Sequence, residues 1–61
     1  MLKTEKNYLS AEDVADYMGV SIPKAYKVIR ELNEELKEHG FIIIHGKVNR
    51  RFFEKKVNGF D

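Results

Sequence analysis

The stretch SAEDVADYMGVSIPKAYKVIRELN, residues 10–33, places two helix starts on either side of a single glycine. Ser10 is a good N-cap, Asp13 follows at the position where a carboxylate favours a helix N-terminus, and Leu9 with Val14 occupy the hydrophobic-staple positions. A first helix is expected from near Ala11, with Ala11, Val14, Ala15 and Met18 on one apolar stripe and Glu12, Asp13 and Asp16 off it. Gly19 supplies the positive-φ residue that ends such a helix after about two turns, and Val20 can then turn back into the core. Ser21 restarts the pattern as a second N-cap, with Pro23 in the first turn, where a missing N–H costs little. Ala25, Ile29, Leu32 and Leu36 recur at helical spacing, with Val28 on the edge of their stripe. The second helix should therefore run to about His39, roughly 25 Å at ~1.5 Å per residue, and stop at Gly40.

Outward from this pair lies FIIIHGKVN, residues 41–49. Four β-favouring apolar residues, a His45-Gly46 pair suited to a tight primed turn, and a short return segment predict a hairpin. Its register would set Ile44 opposite Lys47 and Ile43 opposite Val48, with Phe41 and Ile43 facing inward and Ile42 and Ile44 outward. That outer pair is either covered by Phe52 or Phe60 or left for a partner, cover being the preferred expectation. Asn49 can cap a last short helix from Arg50 to about Val57, with Val48 and Phe53 as its staple and Gly59 beyond its end. The expected fold is α+β, mainly α, in the order helix–helix–strand–strand–helix. It is one domain over residues 1–61, with residues 1–8 flexible or loosely packed.

Sixty-one residues leave no room for a second, ligand-sensing domain, and a chain of this size hides only about 60% of its unfolded surface, so stability should be marginal. There is no cysteine for a disulfide or thiolate metal site, which suits a reducing cytoplasm. No apolar run approaches the roughly 20 residues of a membrane span, and MLKTEKNY lacks a signal peptide's apolar centre. The expectation is a soluble, cytoplasmic protein with no membrane partner. The net charge of +1 conceals alternating blocks: −3 over residues 10–19, +3 over 20–30, −3 over 31–40 and +4 over 41–56. Two cationic blocks separated by anionic ones can form a basic face on a nearly neutral protein, the distribution a polyanion binder needs; ordinary mixed surface charge is the bland alternative.

Two short helices joined by a tight, Gly-containing turn resemble a helix-turn-helix unit. Ala15, Gly19, Val20, Ala25 and Val28 match the positions where its helices pack closely. The longer stretch GVSIPKAYKVIRELNEELKEHGFIIIHGKVNRRFF resembles small winged helix-turn-helix proteins of the excisionase and MerR-like type, common in bacterial mobile elements. The resemblance implies a two-stranded antiparallel wing that touches the DNA backbone or minor groove, a second helix in the major groove, and a short helix after the wing. It covers nearly the whole chain from Leu9. The dimerisation helix and effector domain of MerR regulators have no counterpart here, so no small-molecule effector is expected.

With Ala25 facing the core, Pro23, Tyr26, Lys27 and Arg30 fall on the opposite face of the second helix and Lys24 at its edge. Glu31, Glu34 and Glu38 continue that surface and would be repelled by phosphate, so only the N-terminal half should enter a groove. There Arg30 and Lys27 could donate to guanine, Ser21 and Lys24 could meet phosphate, and Tyr26 a thymine methyl or phosphate. In the wing and the following helix the candidates are Lys47, Asn49, Arg50 and Arg51, the two arginines sharing a phosphate with free helix N–H groups. A positive ridge on one side of the molecule is the premise that joins these two sets.

Each of these charges also has a plain reading as solvated surface, and Tyr26 as the edge of a core. Leu32 and Leu36 are read as core rather than a dimer seam. His39 and His45 lack cysteine or organised acidic neighbours and are read as solvent-facing, so no metal or other cofactor is expected. Ser10 and Ser21 are explained as caps, no Gly-rich phosphate loop exists, and no catalytic constellation appears, so an enzyme is not expected. The expected partners are double-stranded DNA, an integrase and adjacent copies of the protein on DNA. The expected function is that of an excisionase that binds and bends DNA; the alternatives are a small transcriptional repressor or activator of a mobile element and a protein-interaction module.

Overall fold

The computed structural model describes residues 7–59. The elements are β1 (Tyr8–Ser10), α1 (Ala11–Met18), α2 (Ile22–Glu38), β2 (Lys47–Asn49) and α3 (Arg50–Asn58). The three helices match the expected ones closely because their start and stop signals are local. At α1 the capping box is complete: the Asp13 N–H donates to Ser10 Oγ at 3.2 Å, and the Ser10 N–H donates to Asp13 Oδ2 at 3.1 Å. Gly19, at φ 69°, then lets both its own N–H and that of Val20 reach the Ala15 carbonyl. Asn49 caps α3 by accepting the Phe52 N–H at 2.9 Å.

The sheet is where expectation and structure part. Residues 41–44 form no strand, and β2 pairs antiparallel with β1 instead, Leu9 opposite Val48, Tyr8 opposite Asn49 and Ser10 opposite Lys47. The Arg50 N–H continues this alignment to the Asn7 carbonyl at 2.9 Å. The order is therefore strand–helix–helix–strand–helix, not helix–helix–strand–strand–helix, and a 41–49 hairpin is absent among the described residues. The turn chemistry explains the difference. A primed turn would need a positive φ at His45, yet among the described residues only glycines have positive φ, and it is Gly46, at φ 77°, that takes it. Negative then positive φ, closed by the Lys47 N–H donating to the Ile44 carbonyl at 3.1 Å, is the sign pattern of a type II turn. Such a turn splays its flanking segments rather than twisting them into a ladder.

Of the N-terminal stretch 1–8, residues 1–6 lie outside the described residues and Tyr8 opens β1. The core gathers Ala11, Val14 and Ala15 from α1, Ala25 and Ile29 from α2, Val48 from β2 and Phe53 from α3, with Leu9, Val20, Val28 and Leu32 packed at its edge. Leu36 is buried as expected, whereas Met18, though on the α1 stripe, stays exposed. Phe53 is wholly enclosed and packs T-shaped with Tyr17 at 5.2 Å between ring centroids, while the Asn58 side-chain amide donates to the Tyr17 hydroxyl at 2.6 Å. Among the described residues no helix is long and apolar enough to cross a membrane.

Candidate nucleic-acid interface

The first half of α2 displays every side chain expected there. Ser21, Pro23, Lys24, Tyr26, Lys27 and Arg30 are all exposed, while Ala25 and Ile29, on the opposite side of the same turns, are buried. Ser21 Oγ is occupied as a cap, accepting the Lys24 N–H at 3.3 Å, so the helix start is ordered without help from a ligand. Tyr26 settles beside the turn after residue 44: a Cβ on Gly46 would lie 3.9 Å from its ring. Tyr26 and Arg30 line one groove with His45 and Gly46, and Glu34 and Lys37 extend that groove toward the acidic half of the helix.

Arg51 stands elsewhere. It lines a second groove with Asn49, Phe52 and the exposed Phe41 and Ile42. Asn33 and Ile43 border both grooves and so divide them. Arg30 thus shares a groove with the turn, and Arg51 lines the other groove. Arg50 is half-buried and its Nη1 lies 3.4 Å from both carboxylate oxygens of Glu54, and the Asn49 side chain is engaged as the α3 cap. Lys47 is exposed, next to the turn. Among the residues lining the second groove, Lys56 pairs with Glu35 at 2.8 Å, tying α3 to α2.

Phe52 does not cover the outer isoleucine as expected: Ile42 is 91% exposed and Ile44 remains exposed as well. Phe60, the other expected cover, lies outside the described residues. Phe41, expected to face inward, is 61% exposed, because without a hairpin ladder no register turns it toward the core. His39 and His45 are exposed, and among the described residues no group of three or more histidines and carboxylates converges as metal ligands would.

One residue of this region escaped the sequence reading. Asn33 is 5% exposed, and its Nδ2 donates to the Lys47 carbonyl at 2.7 Å and to the Ile44 carbonyl at 3.4 Å. The signal was present: Asn33 stands four residues after Ile29 and three before Leu36, so it belongs to the buried stripe. A primary amide at such a position needs hydrogen-bond partners brought to it by another part of the chain.

No family model matches the chain, and no solved structure matches it. The chain is similar to ICEBs1 excisionase of Bacillus subtilis (strain 168), with 44% identity over 48 residues that cover 79% of this chain and 75% of that relative. Identity at that level, over most of both chains, means that the protein belongs to the family of the ICEBs1 excisionase.

Proposed function

We propose that the protein is a sequence-specific DNA-binding factor that assists an integrase in excising a mobile element, binding adjacent sites and bending the DNA between them. In this reading α1 and α2 act as a helix-turn-helix pair, and the turn at residues 44–47 takes the place of a wing. The observation that carries it is the cationic first half of α2, whose Arg30 and Tyr26 share a groove with the turn that leads into Lys47. Lys27 and Arg30 read guanine edges, Ser21, Pro23 and Lys24 bring the helix N-terminus to a phosphate, and Tyr26 meets a thymine methyl or backbone. Lys47 meets the neighbouring backbone. Arg50 and Arg51 reach DNA only at the edge of this footprint, and Asn49 serves as their helix cap. A single module buries about 600–1,000 Å² on DNA, so tandem or partner-assisted binding would supply the remaining specificity. The family membership supports the excision role.

The test combines binding with function. If four to six cations meet phosphate, log affinity should fall with log salt at a slope of about −4 to −5. Arg30→Ala should lose selectivity at particular bases, whereas Lys47→Ala should weaken all sequences alike. Integrase-driven excision from an attachment-site fragment should rise with added protein, and the fragment should bend. Binding without bending or stimulated excision would replace the excision role with transcriptional regulation. The bare Phe41 and Ile42 favour a second reading, a protein-interaction module; binding to DNA that is flat with salt would turn the assignment that way.

A further inference from the structure

We infer that Asn33 is a positioning residue that sets the distance between the recognition half of α2 and Lys47. The inference rests on the DNA-binding reading above and adds to it the device that keeps its two contact surfaces in step. Because residues 41–44 pair with no strand, no ladder of main-chain hydrogen bonds fixes the turn against the helix. The turn's C-terminal side runs into β2, where Lys47 pairs with Ser10, and Asn33 supplies side-chain hydrogen bonds from α2 to both ends of the turn. The Asn33 amide donates to both carbonyls that bracket His45-Gly46, those of Ile44 and Lys47, while the Lys47 N–H closes the turn on Ile44.

Asn33 is one helical turn beyond Arg30 and two beyond Tyr26 and Lys27, so its clamp acts within about 10 Å of rise from the side chains assigned to bases. A leucine at this position of the stripe would bury more apolar surface. The amide instead holds two main-chain groups against the helix, and the shorter of its hydrogen bonds runs to Lys47, which bears the proposed backbone contact. A buried amide is also specific in a way an apolar contact is not, since its donors accept only a narrow range of distance and angle.

A double-mutant cycle separates positioning from mere stability. Binding of a fluorescent duplex of mixed sequence is followed against salt for the unaltered protein, Asn33→Leu, Lys47→Ala and the pair. In the unaltered background Lys47→Ala should flatten the salt slope by about 1. Asn33→Leu should flatten it by a similar amount while keeping the helical circular dichroism, and adding Lys47→Ala should then change nothing further. If Lys47→Ala removes the same increment in both backgrounds, Asn33 is only structural and the inference is overturned, with DNA binding intact. If the unaltered protein shows no salt-dependent binding, the DNA reading falls and this role falls with it. Should Asn33→Leu fail to fold, the unaltered protein still decides. Its Asn33 side-chain amide protons should exchange slowly by NMR, and exchange at the rate of a free asparagine overturns the inference.

Discussion

Val48 and Phe53, on one side, and Phe41 to Ile44, on the other, carry the same kinds of side chain, β-branched and aromatic, and differ in fate. Val48 and Phe53 are fully enclosed, whereas Phe41 and Ile42 face solvent over most of their surface. What differs is the company each segment keeps. Val48 lies in a strand whose partner, Leu9, fixes which face turns inward, and Phe53 follows on a helix whose start is capped by Asn49. The 41–44 segment has neither a pairing strand nor helical periodicity, so nothing assigns its apolar side chains to a side. Hydrophobic character supplies the tendency to be buried, but a register is needed to direct it.

The strongest way to break this contrast is Phe53→Ala. Removing a wholly enclosed ring from so small a core should cost about 3–5 kcal/mol, enough to unfold most of a domain whose total stability is expected to be ~3–9 kcal/mol. Loss of helical circular dichroism at room temperature would report it. Val48→Ala, a smaller deletion at the strand end of the same core, should cost about 2 kcal/mol and lower the urea midpoint without changing the slope of the transition. Next comes Gly19→Ala: at φ 69° a Cβ meets no neighbour, so the penalty should be backbone strain alone, about 1–2 kcal/mol by the same denaturation. The smallest effect belongs to the open segment. Ile42→Ser should leave stability within about 0.5 kcal/mol while raising solubility, because its side chain is already in water. An Ile42→Ser loss as large as that of Val48→Ala would mean that the two regions do not differ in the way described.

The legible parts of the candidate interface were those carried by a single helix. Ala25 and Ile29 inward and Lys24, Lys27 and Arg30 outward follow from 3.6 residues per turn, and the structure places them so. Less legible was the relation between that helix and the basic residues after the turn. Arg51 and Arg30 line different grooves, and Arg50 lies against Glu54 four residues on, details that net charge counted in blocks along the chain does not resolve. Asn33 was visible as a polar residue on an apolar stripe, but its partners lie eleven and fourteen residues away across the turn.

The amino-acid order alone determined the three helices, their caps at Ser10, Ser21 and Asn49, and the cationic front of α2. Capping, helical periodicity and the stop at Gly19 involve residues within four positions of one another, so their energetics are written locally. Only the tertiary structure decided that Lys47–Asn49 pairs with Tyr8–Ser10, that residues 41–44 stay unpaired, and that Asn33 holds the turn. Those choices join opposite ends of the chain and depend on which distant surface offers the better register, a competition no short window of sequence contains.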